Sequence, residues 1–143
     1  MATQFDEVGS LLGVPPGELE SPLDLAHSIE EGLEVASVGR IAKAIAPDDP
    51  KFKFRIVSKA TLERRRKSKS RLKNDEGDRV ARLARVYSMG LSIFHDANKV
   101  RDFMSRPHML LDNKRPLDVA LSTGPGAEAV INVLGRAAYG GGV

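Results

Sequence analysis

The sequence predicts an all-α fold, a helical bundle followed by a second helical unit, and three observations carry that prediction. Apolar residues recur at spacings of three, four and seven in successive short segments, the period of a helix with one buried face. Prolines, glycines and Ser, Asn or Asp caps punctuate these segments where helices start and stop. Only residues 51–57, Lys-Phe-Lys-Phe-Arg-Ile-Val, alternate as a strand would, and no second strand is predicted to pair with them. A chain of 143 residues holds one domain or two small units sharing a core.

Residues 1–21 contain Gly9, Gly13, Pro15, Pro16 and Gly17, so they read as a flexible arm with one short helix over residues 5–12. From Ser21 the pattern changes. Ser21 is a good N-cap, Pro22 suits the first helical position, and Asp24 puts a carboxylate in the first turn. Leu23, Ala26, His27 and Ile29 fall near one face, and Gly32 ends the run. Val35, Val38, Ile41, Ala42 and Ile45 mark a second short helix, stopped by Pro47 and Pro50. Residues 51–57 are then a short helix or an extended connector.

Ser58 caps the next predicted helix, residues 58–72, whose large apolar positions are Leu62 and Leu72. Asn74 or Asp75 opens the clearest amphipathic helix, with Val80, Leu83, Ala84, Tyr87, Leu91 and Phe94 in one stripe. His95 and Asp96 break it. Ala97, Val100, Phe103 and Met104 form another helix closed by Arg106 and Pro107. Pro116 starts a short helix, and Gly124, Pro125 and Gly126 separate it from a last one. That last helix turns Ala127, Val130, Ile131 and Leu134 inward.

The net charge of +3 hides a strong polarity. Residues 1–50 carry −8, residues 51–90 carry +10 and residues 91–143 carry +1. An acidic head, a basic middle and a neutral tail suggest different tasks. No apolar run approaches the roughly 18 to 20 residues of a membrane span. The N-terminus lacks the basic start and apolar core of a signal peptide. A cytoplasmic protein is expected, with no membrane association.

Catalytic chemistry finds little footing. There is no cysteine, hence no disulfide framework and no thiol nucleophile. The three histidines, His27, His95 and His108, fall on different elements without the i, i+4 spacing of a helical metal site. The glycines Gly140, Gly141 and Gly142 precede no helix and cannot cradle phosphate. A protein that binds rather than catalyses is expected, with no cofactor and no metal.

Between Arg64 and Lys73 seven of ten residues are basic. Such density calls for an anionic partner or bound counterions. It is either a solvated linker or a DNA-facing element, and what precedes it favours DNA. Two short helices, a turn region and a Ser-capped basic helix follow the order of a helix-turn-helix unit. The expected DNA-binding residues are Lys59, Thr61, Arg64, Arg65, Arg66 and Lys67. Those at the helix start would reach base edges, and the later arginines would contact phosphate. RNA and lipid rank lower, since neither aromatic residues nor an apolar face lie within the run.

Ordered motifs in the rest of the chain resemble a known family. The segment 76–86, Glu-Gly-Asp-Arg-Val-Ala-Arg-Leu-Ala-Arg-Val, resembles the opening helix of the Xre/MbcA/ParS toxin-binding domain. So do Ile93 and Phe94, residues 97–104, and residues 106–111, Arg-Pro-His-Met-Leu-Leu. Residues 114–123, Lys-Arg-Pro-Leu-Asp-Val-Ala-Leu-Ser-Thr, look like the family's Pro-Leu-Asp-Leu-Leu-x-Thr signature. Residues 126–130 and 134–140 look like its closing helix and terminus. Upstream, residues 56–65 are similar to the Thr-Leu-x-Arg-Arg end of the family's Xre-like helix-turn-helix. The family's usual Trp-Leu is Phe103 and Met104 here, which keeps a large apolar pair for the core.

The resemblance implies an antitoxin of a type II toxin–antitoxin pair, whose partner is a RES-domain toxin that consumes NAD or transfers ADP-ribose. It implies that the C-terminal half docks over the toxin and that its end blocks the NAD pocket. Arg136, Tyr139, Gly140, Gly141, Gly142 and Val143 would be the toxin-binding positions. The N-terminal half is expected to bind operator DNA and repress the module's own promoter. A homodimer is expected, because one helix-turn-helix rarely gives enough affinity for an operator. The resulting division is an arm over 1–21, an Xre-like helix-turn-helix domain over 22–67 and a toxin-binding domain with its tail over 68–143. The rival reading is a helix-turn-helix regulator without a toxin, its C-terminal half used for dimerisation.

Overall fold

The computed structural model describes residues 4–138. Nine α-helices and one 3-10 turn follow one another among the described residues, with no strand. They are α1 (Gln4–Leu12), α2 (Pro22–Glu31), α3 (Ala36–Ile45), α4 (Lys53–Ile56) and α5 (Lys59–Ser68). After these come α6 (Asn74–Phe94), α7 (Ala97–Ser105), the 3-10 turn Met109–Leu111, α8 (Pro116–Ser122) and α9 (Gly124–Ala138).

The helix starts follow from local chemistry. Ser21 accepts a hydrogen bond from the Asp24 amide, and Pro22 occupies the first turn of α2. Gly32 closes α2 at φ 103, a left-handed conformation that a side chain resists. Ser58 Oγ accepts from the Thr61 amide at the start of α5, and Asp96 accepts from the Asn98 amide at the start of α7. Pro116 opens α8. α9 begins at Gly124, because Thr123 Oγ1 accepts from the Gly126 amide and Pro125 fits the first turn. The Gly-Pro-Gly segment expected as a spacer is thus the first turn of the helix.

α6 is the axis of the molecule. α1, α2, α3, α4, α7, α8 and α9 all pack against it. The expected stripe is there, with Val80, Leu83, Ala84 and Tyr87 buried. Ala81, Val86 and Ser88 are buried as well, so α6 is enclosed on more than one face, as a central helix must be. Two glycines permit the second face. Gly77 lies under Ile29 and Leu33, and a methyl at Gly90 would stand 2.9 Å from Val100 Cγ1. Phe103 and Met104 keep their expected packing role, with Met104 fully buried and Phe103 half-buried beside Phe94.

Two further local readings change, and the open one at residues 51–57 is decided for a helix. Residues 4–12 are docked instead of lying loose: Val8 and Leu12 are fully buried, and α1 packs on α6 and α3. Arg40 fastens it by donating from Nε to the Leu11 carbonyl (2.9 Å) and pairing with Glu34. The alternating residues 51–57 contain the helix α4, since Phe52 and Ile56, four apart, turn the same way into the core. α5 stops at Ser68, earlier than expected, because Lys69 adopts a left-handed φ of 55. Leu72 is therefore a buried residue of the connector, its amide donating to the Leu33 carbonyl.

Candidate nucleic-acid and protein interfaces

Much of the positive charge between residues 51 and 90 is spent inside the fold. The last carbonyls of a helix have no partner within it, and arginines from neighbouring segments supply one here. Arg79 Nε donates to Ile56 O at the end of α4 (2.8 Å), and Arg82 Nη1 reaches Ala120 O and Leu121 O near the end of α8 (3.3 Å each). Arg71 reaches Gly32 O beyond α2 (3.0 Å). From outside this segment, Arg101 does the same for Ala44 O of α3 (2.8 Å). Arg85 pairs with Glu128 across α6 and α9 at 2.8 Å.

What remains on α5 is a narrower cationic face. Lys59, Arg64, Arg66 and Lys67 are exposed, and among the described residues their side chains form no hydrogen bond or ion pair. Thr61 is half-buried, with its hydroxyl accepting from Ser58 Oγ (2.9 Å). Arg65 differs from the expectation of a phosphate contact. It is 8% exposed and forms a two-pronged ion pair with Glu76, Nε to Oε1 at 2.7 Å and Nη2 to Oε2 at 3.0 Å. The spacing carries the signal that the sequence reading missed, for Arg65 lies three residues after Leu62 and so shares its inward face. The pairing holds the Glu76 carboxyl below its ordinary range and the Arg65 guanidinium above its own.

In the C-terminal half, α8 and α9 fold against each other and against α6. Asp118 of the Pro-Leu-Asp segment accepts from Arg115 (2.8 and 3.0 Å) and from Arg55 of α4 (2.8 Å). The hydrogen bond from Arg115, with Arg55 adding to it, holds the Asp118 carboxyl below its ordinary value. The signature therefore ties the two halves together, a bond across 63 positions that no local pattern could announce. Arg136 is exposed in the last turn of α9. The other expected toxin-binding positions, Tyr139, Gly140, Gly141, Gly142 and Val143, lie outside the described residues.

The structure adds one feature to this half. Met109 (79% exposed) and Leu110 (50% exposed) are large apolar side chains held in solvent by a tight turn. Leu111 anchors that turn in the core, His108 Nδ1 accepts from the Leu110 amide, and Asp112 and Asn113 reverse the chain at positive φ. Beside it a cleft of about 350 Å³ is lined by Phe94, Phe103, Pro107 and His108 among others. Apolar side chains presented together suit a protein partner. The three histidines have separate places: His27 is exposed on α2, His95 terminates α6 at φ 56, and His108 caps the turn. No described helix is long and apolar enough to cross a membrane.

Comparison with known proteins matches both halves. Residues 24–85 match the antitoxin Xre-like helix-turn-helix domain. Residues 89–140 match the antitoxin Xre/MbcA/ParS C-terminal toxin-binding domain. The relative named Antitoxin Xre from Yersinia enterocolitica is 30% identical over 118 residues, which is 81% of this chain and 79% of that protein. With both domains in the same order and a relative matched over most of both chains, the chain belongs to the Xre/MbcA/ParS family of antitoxins.

Proposed function

We propose that the chain neutralises a RES-domain toxin, one that consumes NAD or transfers ADP-ribose, by seating the end of α9 and the tail after it at the toxin's NAD pocket. The observation that carries this reading is the toxin-binding match over residues 89–140, which takes in the helix presenting Arg136. The chemistry agrees. Arg136 offers a planar cation for carboxylate or phosphate groups. Three glycines before the C-terminus let backbone approach a pocket wall closely. Inhibition by occupancy asks for no catalytic group on this chain, and we read it as acting by binding.

The second half of the proposal is autorepression. Lys59, Arg64, Arg66 and Lys67 of α5 face operator DNA, and a homodimer engages two half-sites. Lys59 and Thr61, at the start of α5, stand nearest the base edges, while the arginines sit on phosphate and fix register.

Co-expression tests the toxin reading. The product of the gene beside this chain's own should arrest growth alone, and this chain should relieve the arrest. Arrest that persists with both produced would overturn it. Deleting residues 139–143 tests the mechanism, and a truncated chain that still blocks NAD turnover would refute tail occupancy.

A further inference from the structure

The DNA-facing helix has an unusual attachment. Among the described residues its buried side chains are Leu62 and Arg65, and no other helix packs extensively along it. One leucine and one ion pair therefore hold the element on which the exposed cations ride. The partner in that pair, Glu76, has a second duty. Its Oε1 accepts from the Lys73 amide at 2.8 Å, which fixes the first turn of α6. Both carboxylate oxygens are engaged, and Glu76 is 6% exposed.

Building on the DNA reading above, we infer that Arg65 and Glu76 are positioning residues that lock helix α5 onto the start of α6, so that Lys59, Arg64, Arg66 and Lys67 meet DNA in one fixed arrangement. Neither residue contacts DNA. The geometry suits the task. A planar guanidinium held by two parallel bonds resists rotation as well as displacement, which a single bond from lysine does not. The pair lies 11 positions apart, spanning the Lys69 reversal, and closes the connector between the two helices. A helix so held offers its cations already ordered, and binding then loses less to immobilisation.

The sign of one substitution separates this role from simple electrostatics. Glu76→Gln removes a negative charge close to the DNA-facing helix while keeping the side-chain shape. If the region acted only through net charge, the variant would bind DNA more tightly. If the pair positions α5, the variant binds more weakly, by about tenfold at fixed salt, because a neutral amide holds the guanidinium less firmly.

The experiment measures equilibrium binding of the full chain to a duplex carrying the region upstream of its own gene. The variants are Glu76→Gln, Arg65→Lys and the double variant. Amide hydrogen exchange is followed on the same proteins without DNA. Weaker binding by Glu76→Gln, a double variant no worse than Arg65→Lys alone, and faster exchange confined to residues 59–73 are the expected results. Unchanged or tighter binding by Glu76→Gln overturns the inference. So does unchanged exchange in α5, whatever the DNA result. No binding by the unsubstituted chain refutes the DNA reading itself, and is distinguished by an intact exchange difference.

Discussion

Replacing Leu12 by alanine should destabilise the whole protein, although it lies in a stretch whose glycines and prolines suggest a loose arm. Leu12 is 1% exposed at the end of α1 and belongs to the single hydrophobic core that also holds Ile41, Val80 and Leu83. Truncation removes three carbons, a transfer loss of ~2.4 kcal/mol at ~0.8 kcal/mol each. The cavity left behind raises this to about 3 kcal/mol, inside the range for such replacements. For a chain of this size that corresponds to a fall of about 10 °C in Tm. Thermal and urea unfolding followed by circular dichroism would measure it, with an unchanged urea slope showing that only stability moved. Leu23→Ala is the control, since Leu23 is 65% exposed and its loss should stay within about 0.5 kcal/mol. If Leu12→Ala shifts the midpoint no more than Leu23→Ala does, α1 is not part of the core and its packing account is wrong.

Other outcomes follow from the same packing and charge. Arg64→Ala and Arg66→Ala should each lower the slope of log affinity for DNA against log salt by about 0.9, the share of one phosphate contact, and an unchanged slope would remove that residue from the DNA face. Gly126→Ala should cost about 1–3 kcal/mol, because a methyl there overlaps the Val119 carbonyl oxygen where α8 meets α9. Gly135→Ala, in the same helix with open space around it, should gain up to ~1 kcal/mol, and equal effects of the two would refute the steric argument. Glu76 and Asp118 have carboxyls held below their ordinary values of 4.5 and 3.8. Their contribution to stability is complete above that range and is lost as the pH falls through the lowered values. Unfolding free energy should therefore drop in acid, and less steeply in Arg115→Ala, whose Asp118 has lost its main partner.

The sequence was most legible where local chemistry decides structure. Ser21, Pro22 and Asp24 mark the start of α2, Ser58 caps α5, and the apolar stripe of α6 places the central helix. It was least legible where a distant partner decides. Val8 and Leu12 are two apolar residues among breakers, and their burial depends on surfaces of α3 and α6 that no short window contains. Arg65 sits in a basic run whose charge conceals its inward direction, and Glu76 supplies the reason for that direction from the next helix. Met109, Leu110 and Leu111 are one apolar run in sequence, and the 3-10 turn that buries only Leu111 of the three has no local signal. The recurrent arginine at a neighbour's C-terminus is likewise a tertiary device, and it engages Arg71, Arg79 and Arg82 of the basic middle within the fold.

The central claim is that this antitoxin acts by occupying its toxin's NAD site, and titration tests it most directly. The purified product of the adjacent gene is assayed for NAD consumption or ADP-ribosyl transfer while this chain is added, with the chain lacking residues 139–143 in parallel. The account predicts that turnover by the toxin falls to zero as the full chain saturates it, that excess NAD competes, and that the shortened chain binds without inhibiting. Full turnover in a saturated complex, or equal inhibition by both chains, would contradict it.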